Sequence, residues 1–285
     1  MNLDNINALH VHMGVHNLPV KSKPMDNPLR RQKQENMENW KKREEFKATV
    51  IAKKEGYENL LGELKKFLNK LTTSNYDTQV ESVIETVKSI IALDDDDEKI
   101  TMGLMQTAEV ILQVACSNKY YSAMYAKLFM RLVDIHAQFL EEKGRVCDKF
   151  LNALQEIEIV DPNVDYDKFC IVNKKNDERR AMMLFIINLY KMSGCTMDEL
   201  SSIVIKIDEM IHNHVSESSF IEYTNELTEI MNIFVTNMVT EIKNNKEWVF
   251  VKDRIVDYSK YKTKDYPGMS SRTIFKYMDM VDLFK

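Results

Sequence analysis

The chain has 285 residues, 44% of them hydrophobic and 29% charged, enough to bury a large core in one or two domains. Seven glycines and five prolines are too few for the many tight turns of strand-rich or doubly wound folds, which leaves long helices joined by short corners. A net charge of -5 excludes holding nucleic acid through an overall basic field, so any RNA contact must use a local patch.

In chain order, residues 1–56 read as a flexible or partner-ordered N-terminal arm and residues 57–285 as a helical domain. The first 35 residues hold three of the five prolines and three of the six histidines, with no sustained hydrophobic period. Residues 1–20 lack the continuous apolar core of a signal peptide. The longest apolar runs along the chain are short and interrupted, which argues against a membrane span. Cys116, Cys147, Cys170 and Cys195 are widely spaced and form no CxxC pair, the usage of reduced thiols in a cytoplasmic protein.

From Glu58 the apolar residues recur at three and four positions, the spacing of one helix face. Leu64, Phe67, Leu68 and Leu71 form a stripe that stops at Thr72–Asn75, and a second begins at Tyr76. Further stripes run from Ile100 to Ala115, Ala181 to Met192, Leu200 to Ile211, Phe220 to Met238 and Ile274 to Phe284. Ser74 or Asn75 is expected to cap the helix at Tyr76, and Asp94 to Glu98 put carboxylates at the positive end of the next. Thr196 and Glu199 have capping-box spacing, Ser218 precedes the helix near Phe220, and Gly194 is expected to end its predecessor. About ten helices with short connections, none apolar all round, predict an all-α crescent of about five antiparallel hairpins, each covering the bare face of the last.

Chemistry-bearing motifs are sparse. The scattered glycines fit no phosphate-cradling loop, and no G-x-S-x-G elbow exists, so no cofactor and no catalytic residues are expected. Glu209, His212 and His214 hold one Glu-x-x-His spacing, whereas a four-helix di-iron centre needs two such motifs and two more glutamates. A solvated helix end explains the same residues, and a helical metalloenzyme stays as a distant alternative. His10, His12 and His16 could chelate a metal or simply punctuate the arm. Near the C-terminus Tyr258, Tyr261 and Tyr266 alternate with Lys260, Lys262, Lys264 and Arg272, a mixture that either stacks bases and holds phosphates or forms a solvated loop.

Four segments, in order, resemble the middle domain of eukaryotic translation initiation factor 4G. "LNKLTTSNYD" is similar to its opening Leu-Asn-Lys-Leu-Thr corner, with Tyr76 in place of the usual Phe. "SNKYYSAMYAKLFMRL" resembles its Pro-Asn-Phe-(x)-Ala-Tyr-Ala segment through Tyr120, Tyr121, Met124, Tyr125 and Ala126. Phe185, Ile186, Leu189, Tyr190 and Lys191 match a Phe-Ile-Gly-Glu-Leu-Phe-Lys helix, and Ser270, Ser271, Arg272, Asp279, Asp282 and Leu283 match the closing Ser-Ser-Arg helix.

The resemblance covers roughly residues 57–285. It implies a non-enzymatic scaffold of HEAT hairpins that grips both halves of a DEAD-box RNA helicase of the initiation factor 4A class, speeding its ATP turnover in translation initiation. Carried over by residue, Leu68, Leu71 and Tyr76 fall at the first helicase contact and Arg272 near the second; Trp40 corresponds to a tryptophan that some members extend along the helicase. Leu68 and Leu71 also lie on an apolar stripe and read equally as core, and Tyr76 equally as a hairpin staple. The family's cap-binding-protein motif, Tyr-x4-Leu-Φ, is absent from the N-terminal arm; its nearest match, Tyr166, Ile171 and Val172, lies inside the domain, a non-standard motif through which a cap-binding protein could be a further partner. The same fold serving mRNA processing or decay is the nearest alternative.

Overall fold

The computed structural model describes residues 56–94 and 96–285; Trp40 and the arm histidines lie outside them. Ten α-helices and no strands are found among the described residues. They are α1 Tyr57–Asn69, α2 Tyr76–Ile91, α3 Asp97–Ser117, α4 Ser122–Val133, α5 Ala137–Gln155, α6 Tyr166–Lys191, α7 Met197–His214, α8 Ile221–Asn244, α9 Val249–Tyr258 and α10 Ser271–Asp282.

Consecutive helices pair as five hairpins, and the hairpins stack in two layers. The odd helices follow one another in one layer, α1 against α3, then α5, α7 and α9; the even helices do the same in the other. Each layer is parallel. Asn69, at the end of α1, lies beside Ser117 at the end of α3, and Glu229 in α8 pairs with Lys276 in α10. The predicted all-α helical repeat is therefore present, and a single run of apolar side chains from Leu64 to Met280 forms its core.

The cause lies in the stripes. In α2, Val80, Val83, Ile84, Val87 and Ile90 are buried, and in α7 Leu200, Ile203, Val204, Ile207 and Ile211, each set recurring at three or four residues and facing the neighbouring hairpin. The central helix α3 is long and apolar enough by composition to cross a membrane, because over a full helix its polar interruptions average out. Its Leu104, Ala108, Ile111 and Ala115 are buried in the core shared with α1, α5 and α6, while Glu109 and Gln113 are exposed.

Caps follow the expected plan with three differences, one being that Ser218 opens a 3-10 turn and gives α8 no side-chain cap. The Thr196 hydroxyl accepts from the Glu199 amide, and the Glu199 carboxylate accepts from the Thr196 amide at 2.7 Å. Asp96 accepts from the Glu98 amide at the start of α3. Neither Ser74 nor Asn75 caps α2; Asn75 is used otherwise, as described below. At the end of α6 the left-handed residue is Ser193, with φ 58°, and not Gly194. A Cβ at Gly194 would stand 2.5 Å from Met130 Sδ, the flexible end of a side chain, and 3.1 Å from the Leu189 carbonyl oxygen, a tight fit against backbone.

Candidate protein-binding surface

Because each layer is parallel, every corner inside a hairpin falls on one long edge, and every turn between hairpins falls on the other. The first edge carries residues 70–75, 118–121, 156–165, 215–220 and 259–270. Adjacent corners touch: the Gly268 amide donates to the Val215 carbonyl at 2.8 Å, and a groove of about 490 Å³ joins residues 157–162 to Glu222 at the start of α8 and Arg272 at the start of α10.

At the first corner the chain leaves α1 through a 3-10 turn, Thr73–Asn75, before α2 begins. Asn75 braces that turn: its Oδ1 accepts from the Thr72 amide at 2.7 Å and its amide group donates to the Lys70 carbonyl at 2.8 Å. The abrupt stop on Thr-Thr-Ser-Asn is thus a locally bonded bend between two stripes. Leu68 and Leu71 are 0% and 2% exposed and belong to the core, so neither offers side-chain area to a partner. Their part in any contact is to hold the corner's shape. Tyr76 is 9% exposed, with Lys127 Nζ 4.7 Å from its ring centre, and its hydroxyl has no hydrogen-bond partner. Burial, set against the Arg131 charge, pushes that hydroxyl's pKa up to about 12.

At the fifth corner the sequence pattern changes meaning. Tyr261 and Tyr266 stack on each other at 3.6 Å, and Tyr258 meets Tyr261 edge-on. Tyr258 is buried against Tyr277 of α10, and Tyr261 and Tyr266 each give one face to the other, which leaves Lys260, Lys262 and Lys264 exposed around an aromatic staple. Backbone bonds from Asp265 and Tyr266 to the Lys262 carbonyl tighten it further. Charge held on a fixed loop, without base stacking, is the chemistry this corner offers.

Arg272 stands in the first turn of α10, whose N-cap Ser270 accepts from the Thr273 amide. Its guanidinium is mostly exposed and donates to Glu229 at 2.9 Å, and Lys276 binds the other oxygen of the same carboxylate. Against the upward push of burial, the Lys276 hydrogen bond and the two positive charges hold the Glu229 carboxyl below its usual range.

Two corners carry exposed apolar side chains that periodicity does not single out as surface. Tyr120 in the second corner is 83% exposed, with Lys119 Nζ 5.4 Å from its ring centre. Val164 is equally bare at the third, where a turn fixed by Asp161 bonds holds it before the Asp165 cap of α6. Tyr166 and Ile171 of the Tyr-x4-Ile-Val segment are exposed on the same helix, while Val172 is buried.

The Glu209 to His214 segment converges on no site. Glu209 pairs with Lys206, and the His214 ring bonds the Met210 carbonyl and lies against Phe220 and Tyr223. Among the described residues no three metal-ligating side chains come together. The sequence-predicted residues of the first corner and those of the fifth therefore occupy opposite ends of one edge, separated by three hairpins. Compared with known proteins, the chain matches no family model and no curated protein.

Proposed function

We propose that this chain is a translation-initiation scaffold of the initiation factor 4G middle-domain kind, which binds a DEAD-box RNA helicase of the initiation factor 4A class, raises its ATP turnover, and makes auxiliary RNA contact. The observation that carries the reading is where the four resembling segments fall. They sit, in order, on the first corner, the second corner with α4, the α6–α7 pair, and α10, a spread along the whole row that supports the reading.

The geometry supports this reading in one further respect. A motor with two lobes needs two docking patches a fixed distance apart, and a stack of hairpins with a continuous core supplies a stiff spacer. The first corner and the Lys260–Arg272 region lie on one edge of that spacer, available to one partner. In this reading the protein does no bond-making; it lowers the cost of bringing the helicase lobes together. Lys260, Lys262 and Lys264 add a local positive patch for RNA on a chain whose overall charge is negative.

The test is to mix the full chain with such a helicase and RNA. A complex in size-exclusion chromatography and a rise in RNA-stimulated ATPase rate are expected; no complex and an unchanged rate overturn the reading. Co-purification with nuclear or decay factors in place of initiation factors assigns the same surface to mRNA processing.

A further inference from the structure

Two of the four thiols, distant in sequence, meet in the fold. Cys147 Sγ on α5 lies 3.8 Å from Cys195 Sγ, which sits in the turn between α6 and α7, 48 residues away. Cys147 is half-buried and reachable from solvent, whereas Cys195 is 7% exposed. The turn carrying Cys195 is held on both sides: the Gly194 amide donates to the Leu189 carbonyl at 2.8 Å, and Thr196 begins the capping box of α7. The two sulfurs face each other across the junction of the third and fourth hairpins, Cys195 on the edge opposite the proposed docking corners and Cys147 midway along α5.

We propose that Cys147 and Cys195 form a reversible intramolecular disulfide when the protein meets a hydroperoxide, and that this bond locks the angle between the third and fourth hairpins. A disulfide needs roughly 2 Å between its sulfurs, so closure asks for side-chain rotation and not for unfolding. The Cys147 thiolate attacks the peroxide O–O bond and becomes a sulfenic acid, and the alkoxide or hydroxide released takes up a proton. The Cys195 sulfur then attacks Cys147 Sγ; the S–O bond breaks, and the Cys195 proton leaves with the hydroxide as water. Two thiols are oxidised by two electrons and one peroxide is reduced.

The environments divide these roles. The hydrogen bond from Cys195 favours the Cys147 thiolate over the opposing effect of burial, and Lys143 adds to it, while Glu199 and Asp148 oppose. That same bond, then burial, pushes the Cys195 thiol up. Cys147, half-buried and open to solvent, is therefore the attacking sulfur, and Cys195, 7% exposed, the resolving one. Cys116 serves as an internal control, since burial raises its thiol to about 12, and the exposed Cys170 reports nonspecific surface oxidation.

The experiment is brief hydrogen peroxide treatment of the full chain, followed by thiol counting and non-reducing peptide mapping. Two of the four thiols should be lost together, with one cross-link joining the Cys147 and Cys195 peptides. Reduction should restore both. The oxidised form should melt roughly 5 °C or more higher than the reduced one. In Cys195→Ser, Cys147 should accumulate as a sulfenic acid trapped by dimedone, with no cross-link. Wild-type protein in which Cys147 runs on to sulfinic acid beside an intact Cys195 thiol overturns the proposal. So does oxidation confined to Cys170, or cross-links only between chains.

Discussion

The Tyr125 hydroxyl donates to the Leu68 carbonyl across 2.9 Å, tying the start of α4 to the last turn of α1. Tyr125 is 1% exposed, so no water replaces that bond. Tyr125→Phe keeps the ring and removes one of two bonds to the Leu68 carbonyl, which still accepts from the Leu71 amide at 3.1 Å. The expected loss is ~1 kcal/mol of stability, read from urea denaturation, with helicase affinity falling because the corner loses its brace. An unchanged denaturation midpoint would show that the bond contributes nothing.

Tyr76 presents the reverse case. Its buried hydroxyl has no partner, and Phe retains the ring beneath the Lys127 ammonium. Tyr76→Phe should therefore raise stability by ~1 kcal/mol. A destabilised variant would mean that the hydroxyl makes a bond in solution that this arrangement does not contain.

Gly268 carries the fifth corner. A Cβ there would stand 2.1 Å from the His214 carbonyl oxygen and 2.8 Å from that of Glu217, both backbone atoms that cannot swing away. Gly268→Ala should cost ~3 kcal/mol and loosen the Lys260–Lys264 loop. Gel-shift titration of RNA measures the second effect. Full retention of RNA affinity with an unchanged Tm would remove the anchoring role given to this glycine.

Glu229 sets a pH dependence. Its folded pKa is depressed by the Lys276 hydrogen bond and the two cations, which outweigh burial. For a carboxylate of that kind the stability contribution is fully present above the unfolded value of about 4.3, and it is lost as pH falls through the folded value. Glu229→Gln should cost ~1 kcal/mol at neutral pH, and the gap should narrow steadily as pH falls below the unfolded value of about 4.3. Parallel melting curves across pH 3 to 7 check it; a gap that widens in acid would reverse the sign.

How far these features were legible in the sequence depends on their range. The helical stripes and the Thr196–Glu199 box were readable because each rests on residues three or four apart. The first half of α6 was not. Tyr166 to Glu178 present polar residues on nearly every side, so no period marks the helix, and only the apolar run from Ala181 was visible. Asn75 and Gly194 serve in ways that their local patterns do not suggest. One braces a 3-10 turn where a cap was expected. The other fits tightly against the Leu189 carbonyl, while Ser193 takes the left-handed backbone.

The candidate surface was legible in part. The stripe containing Leu68 and Leu71 allowed both a core and a contact reading, and burial decides for core. The tyrosines of the fifth corner looked like stacking platforms because the sequence cannot show that Tyr261 and Tyr266 stack on each other. Val164 carried no signal at all, being a lone apolar residue in a polar turn. The Cys147–Cys195 approach was invisible for a similar reason, since it depends on stacking one hairpin on the next.

The central claim is that one edge of a stiff row of paired helices meets a single two-lobed motor at both ends. Hydrogen–deuterium exchange of the chain, alone and with the helicase, nucleotide and RNA, tests it most directly. Slower exchange is predicted at residues 70–75 and at residues 259–272 together, with the turns at 134–136 and 245–248 unchanged. Protection at one end alone, or along the opposite edge, would contradict it.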